Sequence, residues 1–125
     1  MQYTRTGIVL CTENYQKCVE FYTKVMELPV IHILDDKDSK LTSLDLGGNN
    51  YLMIETGGES NTLGKTISQS PVWLRFNVEN IDESVKILEE NGLLVNVRRE
   101  VWGTIADFLD PDGNRCSLRE ESTFG

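Results

Sequence analysis

Between Pro71 and Glu79 the chain reads Val-Trp-Leu-Arg-Phe-Asn-Val, alternating apolar and polar types with the period of a half-buried strand. Val72, Leu74, Phe76 and Val78 then share one face, and Trp73, Arg75 and Asn77 the other. An indole on the polar phase suits stacking on a planar or cationic ligand, and equally suits filling a dimer seam. Arg75 offers a planar fork to a carboxylate or phosphate of a ligand, or a structural bridge to Glu55 or Asp45. On the last expected strand, Ser117 and Arg119 share the ligand-facing phase, while Cys116 and Leu118 turn toward the helices. Trp102, directly before Gly103, is a second aromatic, for a cleft wall or an exposed loop. Glu55 would serve as a general base if burial raised its pKa, or as half of a salt bridge. No nucleophile or oxyanion donor is recognisable beside it, so no catalytic residue is assigned. Trp73, Arg75, Asn77, Glu55, Trp102, Ser117 and Arg119 are the expected ligand-binding set.

Other chemistries lack their residues. Gly47-Gly48 and Gly57-Gly58 are turn glycines without the Lys-Ser/Thr that a phosphate loop needs. Cys11, Cys18 and Cys116 are widely spaced and form no C-x-x-C pair, so neither a disulfide framework nor a sulfur metal site is indicated. They read as small buried hydrophobes. His32, the only histidine, reads as an ordinary strand residue, and Tyr22 and Tyr51 either reach a cavity with their hydroxyls or pack.

The formal charge is −8, and both halves are acidic: nine Asp/Glu against five Lys/Arg in residues 1–62, eleven against seven in 63–125. Such a surface repels phosphate backbones and anionic lipid, which excludes nucleic acid and membrane as expected partners. The Arg98-Arg99 pair is too short, in too acidic a setting, to reverse this. No charged leader or apolar run of the roughly 20 residues that span a bilayer occurs, and a cytoplasmic protein is expected.

Two similar halves must position these residues. Residues 6–11 read as a strand, followed by a cap at Thr12-Glu13-Asn14. A helix with Tyr15, Cys18, Val19, Tyr22, Val25 and Met26 on one face should then run to near Leu28, before Pro29. Strands follow at Val30–Leu34, Leu41–Leu46 and Asn50–Thr56, the last two joined by a Gly47-Gly48-Asn49 turn. The scheme restarts with Val72–Val78, a helix capped by Asn80 with Glu83 three residues on, and a Gly92 C-cap. Strands at Leu94–Arg99, Thr104–Leu109 and Asn114–Arg119 complete it, with Asp110-Pro111-Asp112-Gly113 a type I turn. Gly7 falls on Trp73, Cys11 on Asn77 and Val19 on Val85, and cap, strand phase and helix stripe repeat together. Between the halves, residues 57–71 are polar with three glycines and read as a linker or a lid.

The expected fold is α+β: one domain, 1–125, of tandem β-α-β-β-β modules forming curled mixed sheets around a cleft. The first module is 1–56 and the second 72–125. A half-sheet cannot bury its mixed face alone, so halves should pair, within a chain or across a homodimer.

The Phe21-Tyr22-Thr23-Lys24-Val25 helix, Asn77-Val78-Glu79-Asn80, Trp102-Gly103 and Phe108-Leu109-Asp110-Pro111-Asp112-Gly113-Asn114 together resemble the vicinal-oxygen-chelate superfamily. This superfamily holds glyoxalases, bleomycin-resistance proteins and extradiol dioxygenases. The resemblance implies four metal-ligand positions, on the first and last strands of each half. They match Gly7, Glu55, Trp73 and Ser117 here, and one carboxylate of four is too few to hold a catalytic metal. The resemblance to the metal-free bleomycin-resistance branch is better, through Pro71-Val72-Trp73-Leu74-Arg75 and Trp102-Gly103. It implies a metal-independent, cofactor-free binder of a small molecule, a drug or antibiotic included, as a homodimer. The alternative is a glyoxalase-like lyase, isomerase or transferase with a non-standard site using Glu55.

Overall fold

The computed structural model describes the whole chain, Met1–Gly125. Its elements are β1 (Thr6–Thr12), α1 (Tyr15–Glu20), a π-helical turn (Phe21–Val25), β2 (Val30–Asp35), β3 (Lys40–Gly47) and β4 (Asn50–Thr56). There follow β5 (Leu74–Val78), α2 (Ile81–Glu90), β6 (Asn96–Glu100), β7 (Gly103–Leu109), β8 (Arg115–Glu120) and a short 3-10 turn, Glu121–Thr123. The β-α-β-β-β order thus occurs twice, in two compact units, Met1–Ser60 and Asn61–Gly125. Neither helix is long and apolar enough to cross a membrane.

In the first unit the strand order is β1-β4-β3-β2, with β1 parallel to β4 and the other pairs antiparallel. The parallel pair requires a crossover, which α1 and the two hairpins supply. Cys18, Phe21 and Tyr22 form the buried helix stripe, and Leu44, Leu52 and Ile54 the buried strand positions. Each such apolar side chain contributes roughly 1.5–3 kcal/mol. The regular helix is shorter than the spacing predicts. The Thr23 hydroxyl donates to the Val19 carbonyl at 2.6 Å, and Met26 N to Phe21 O and Leu28 N to Tyr22 O at 3.0 Å each. These bonds widen the last turn before Glu27 enters the left-handed region (φ 58°) and Pro29 ends the segment.

The second unit has the order β5-β8-β7-β6, with β5 parallel to β8. Asn80 caps α2 as expected, its side chain accepting from the Glu83 amide at 3.1 Å, and Ile81, Val85 and Leu88 are buried. The Asp110 carboxylate organises the final turn: one oxygen accepts from the amides of Asp112 and Asn114, both at 2.9 Å. Of the segment 57–71, Ser60 donates through its amide and hydroxyl to Glu13, both at 2.5 Å. Residues 61–71 are bonded onto the second unit: Asn61 N to Asp112 O at 3.1 Å and Lys65 N to Gly113 O at 2.9 Å. The Lys65 ammonium also reaches Asp112 at 3.1 Å and Asn114 at 3.0 Å.

The expectation of curled sheets is corrected. Both sheets are open, with a linear strand order and two unpaired edges each. Strong curvature needs bulges or glycine kinks at repeated positions. The first sheet has register shifts only between Val30 and His32 and between Asp45 and Gly47, and the second has none. Strand bounds also move: β5 starts at Leu74, leaving Val72 and Trp73 outside the ladder and exposed.

Candidate functional site

The register of the second sheet decides which side chains stand together. Arg75 lies opposite Ser117, Ser117 opposite Asp107, and Asp107 opposite Asn96, so these residues cross all four strands on the face away from α2. Asn77 with Arg119, Arg115 with Leu109, and Arg98 with Ile105 flank that row on the same face. The opposite face carries the apolar phase, including Leu74, Ala106, Phe108, Cys116 and Leu118, all buried.

At one end of the face, Trp102 collects two guanidiniums. Arg119 lies 5.1 Å and Arg75 5.8 Å from its ring centroid, within cation–π range. Arg75 is anchored by its Nε, which donates to the hydroxyl of the fully buried Ser117 at 2.8 Å. Arg119 donates to the carbonyls of Trp102 at 2.6 Å and Thr123 at 2.7 Å and lies 5.0 Å from the Phe124 ring. Asn77 donates to Glu121 at 2.9 Å.

Toward the other end, Arg115 lies 5.4 Å from the Trp73 ring. It donates to the carbonyls of Lys65, at 2.5 Å, and of Ser70 and Val72. The Val72 carbonyl, just before the ladder begins at Leu74, is turned to this guanidinium. A groove of about 290 Å³ opens here, lined by Trp73, Leu94, Asn96, Asp107, Leu109 and Arg115 among others. The Nε atoms of Arg115 and Arg119 are buried without a hydrogen-bond partner.

Arg98 is the guanidinium of this face that is matched by acids: it donates to Asp107 at 2.5 and 3.3 Å and to Glu100 at 3.2 Å. The hydrogen bond to Asp107 is the main cause holding its pKa above the ordinary arginine value, against a smaller opposing effect of burial. A raised cation pKa contributes stability in full below the unfolded value and loses it only as pH rises through the folded one. The pair therefore stays charged on the arginine side through the whole neutral range.

Of the seven sequence-predicted residues, Trp73, Arg75, Asn77, Trp102, Ser117 and Arg119 all belong to the second unit, in the two clusters just described. Glu55 belongs to the first unit, on β4 beside Cys11 and Leu41 and half-buried. Arg75 makes its side-chain bond to Ser117. His32 is an exposed residue of the edge strand β2, and Tyr22 is fully buried, edge-on to Phe21 at 5.0 Å. Arg115, Arg98, Asp107 and Phe124 were not expected. The first was within reach, since it stands two residues before Ser117 in an alternating strand; Asp107 and Arg98 needed the cross-strand register.

The residues at the four metal positions implied by the family resemblance do not fit a metal. At Gly7 an added Cβ would stand 2.1 Å from the Tyr51 ring, so an aromatic covers the place of a ligand side chain. Trp73 stacks with Arg115, and the Ser117 hydroxyl accepts from Arg75. No group of three or more His, Cys, Asp or Glu is placed to hold an ion.

Comparison with known proteins agrees with this architecture. YraH of Bacillus subtilis (strain 168), an uncharacterized protein, is 29% identical over 120 residues, spanning 89% of this chain and 93% of its own. Among solved structures, SMU.1112c superposes with a TM-score of 0.77 at 23% identity, over 96% of this chain and 99% of its own. TnmS3, an antibiotic binding protein from Streptomyces sp. CB03234, superposes at 0.72 with 17% identity, over 95% and 96% of the two chains. The family model described as the glyoxalase/bleomycin resistance protein/dioxygenase superfamily matches residues 6–118, and the chain belongs to that superfamily.

Proposed function

We propose that this chain is a metal-independent small-molecule-binding protein of the glyoxalase/bleomycin-resistance type, acting on a drug, an antibiotic or a similar compact organic molecule. The observation that carries the reading is the open face of the second sheet, where the Trp73 groove and the Trp102 cluster offer flat apolar surface beside hydrogen-bond donors. Fold likeness to the antibiotic binding protein TnmS3 supports it, as does the donor set at the four positions where relatives hold a metal. The partner is a small molecule, without nucleic acid or membrane, and the working form is a homodimer.

A compound screen read by thermal shift tests the reading, because a ligand stabilises the native state by mass action. For any hit, Trp73→Ala should weaken binding by about 1–3 kcal/mol, roughly 5- to 150-fold. Unchanged affinity in a folded variant would remove Trp73 from the site. Titrations with Zn²⁺, Ni²⁺, Mn²⁺ and Fe²⁺ by calorimetry should show no tight stoichiometric binding. A tight site abolished by Glu55→Gln would overturn the metal-independent reading in favour of an enzyme built on that carboxylate.

A further inference from the structure

Net acidity suggests a cationic ligand; the local geometry says the reverse. The chain carries 20 acids against 12 bases, yet Arg75, Arg115 and Arg119 stand on one sheet face and none is in an ion pair. Of the carboxylates nearby, Asp107 and Glu100 are paired with Arg98, and Glu121 accepts from the neutral amide of Asn77. Arg115 and Arg119 donate through their terminal nitrogens to backbone carbonyls, which neutralise no charge, and their Nε atoms have no partner.

Arg75 differs from both. Its Nε is fixed to buried Ser117, its plane lies near the Trp102 ring, and its two terminal nitrogens make no hydrogen bond. It is an exposed, parallel pair of donors on a guanidinium already restrained at the other end. That arrangement matches an oxyanion received side-on, with little side-chain freedom left to lose.

Resting on the small-molecule reading above, we propose that the ligand is an apolar or aromatic acid. Its carboxylate or phosphate is received by the terminal nitrogens of Arg75 under the field of Arg115 and Arg119. Its hydrophobic body lies against the indoles and Leu94 and Leu109 of the groove. An organic cation would instead meet three guanidiniums outside any ion pair, with Asp107 and Glu100 already held by Arg98.

Four probes with a common body separate the possibilities: naphthylacetate, naphthyl phosphate, the neutral naphthylacetamide and the cationic naphthylethylamine. Binding is read by calorimetry and by the fluorescence of the chain's two tryptophans. One or both anions should bind about tenfold or more tighter than the amide, with the amine weakest. Which anion leads tells a carboxylic from a phosphorylated ligand. Arg75→Gln should erase the anion preference, the anions then binding no tighter than the amide. Arg99→Gln, the same charge change on the opposite phase of β6, should keep it. Equal or better binding of the amide or amine overturns the assignment, and so does a preference that survives Arg75→Gln or the absence of binding by every probe near 1 mM. Failure of the underlying reading has a different signature, an empty ligand screen.

Discussion

At the scale of single residues, Gly7 and Tyr51 show how the space over a strand glycine is filled. They are direct partners across the parallel β1–β4 pair, and the Tyr51 ring occupies the space a Gly7 side chain would need. An aromatic covering a strand glycine repairs the packing that the missing side chain forfeits. Gly7→Ala should therefore cost about 1–3 kcal/mol through overpacking, seen as a lower midpoint in urea unfolding. In the Tyr51→Ala background the same change should cost far less, because the obstructing ring is gone. Equal costs in both backgrounds would mean that the ring moves aside freely. At this scale the sequence showed that Gly7 could not ligate, whereas what fills the position depends on a cross-strand neighbour 44 residues away, beyond any local pattern.

At the scale of elements, the segment 57–71 is the informative case. Its polar, glycine-containing composition reads as a linker or a lid, yet Lys65 inserts its ammonium against Asp112, whose side chain is wholly buried. The Lys65 side chain is itself only 11% exposed, so this is a buried pair and not a surface ornament. Removing one partner of a buried ion pair typically costs about 3–5 kcal/mol, because the remaining charge stays desolvated. Lys65→Met should accordingly lower stability by a few kcal/mol and expose residues 61–71 to limited proteolysis before global unfolding. Retained stability with unchanged protease resistance would show that the backbone bonds from Asn61 and Lys65 hold the segment alone. The strands and α2 were legible to within two residues, because strand alternation, the Asn80 cap and the Asp110 turn are local signals. The π-helical turn was not, since it rests on the Thr23 hydroxyl competing for the Val19 carbonyl, a choice the apolar spacing does not encode.

At the scale of the whole molecule, the duplication was legible because cap, phase and stripe recur together, but sheet curvature was not, because curvature depends on bulges that composition does not mark. The open sheets leave edges, and one edge is unusual. β2 is exposed along its whole length and carries Val30, Ile31, Ile33 and Leu34 with no lysine or proline inside it. Proteins ordinarily blunt such an edge, and this one has only the irregularity at Val30–His32 and the terminal Asp35 to oppose pairing with an identical edge, antiparallel and two-fold symmetric. The proposed homodimer should use this edge. Two copies of charge −8 repel each other, so association should strengthen as salt rises, opposite to an interface held by ion pairs. Ile33 is 60% exposed, so Ile33→Lys should leave folding nearly intact while placing a charge on each copy at the seam. Sedimentation velocity should find a dimer for the parent chain and a monomer for the variant, with circular dichroism unchanged. A dimer that persists in Ile33→Lys would move the interface away from β2. A parent chain that stays monomeric at high salt would mean that each copy acts alone on its ligand.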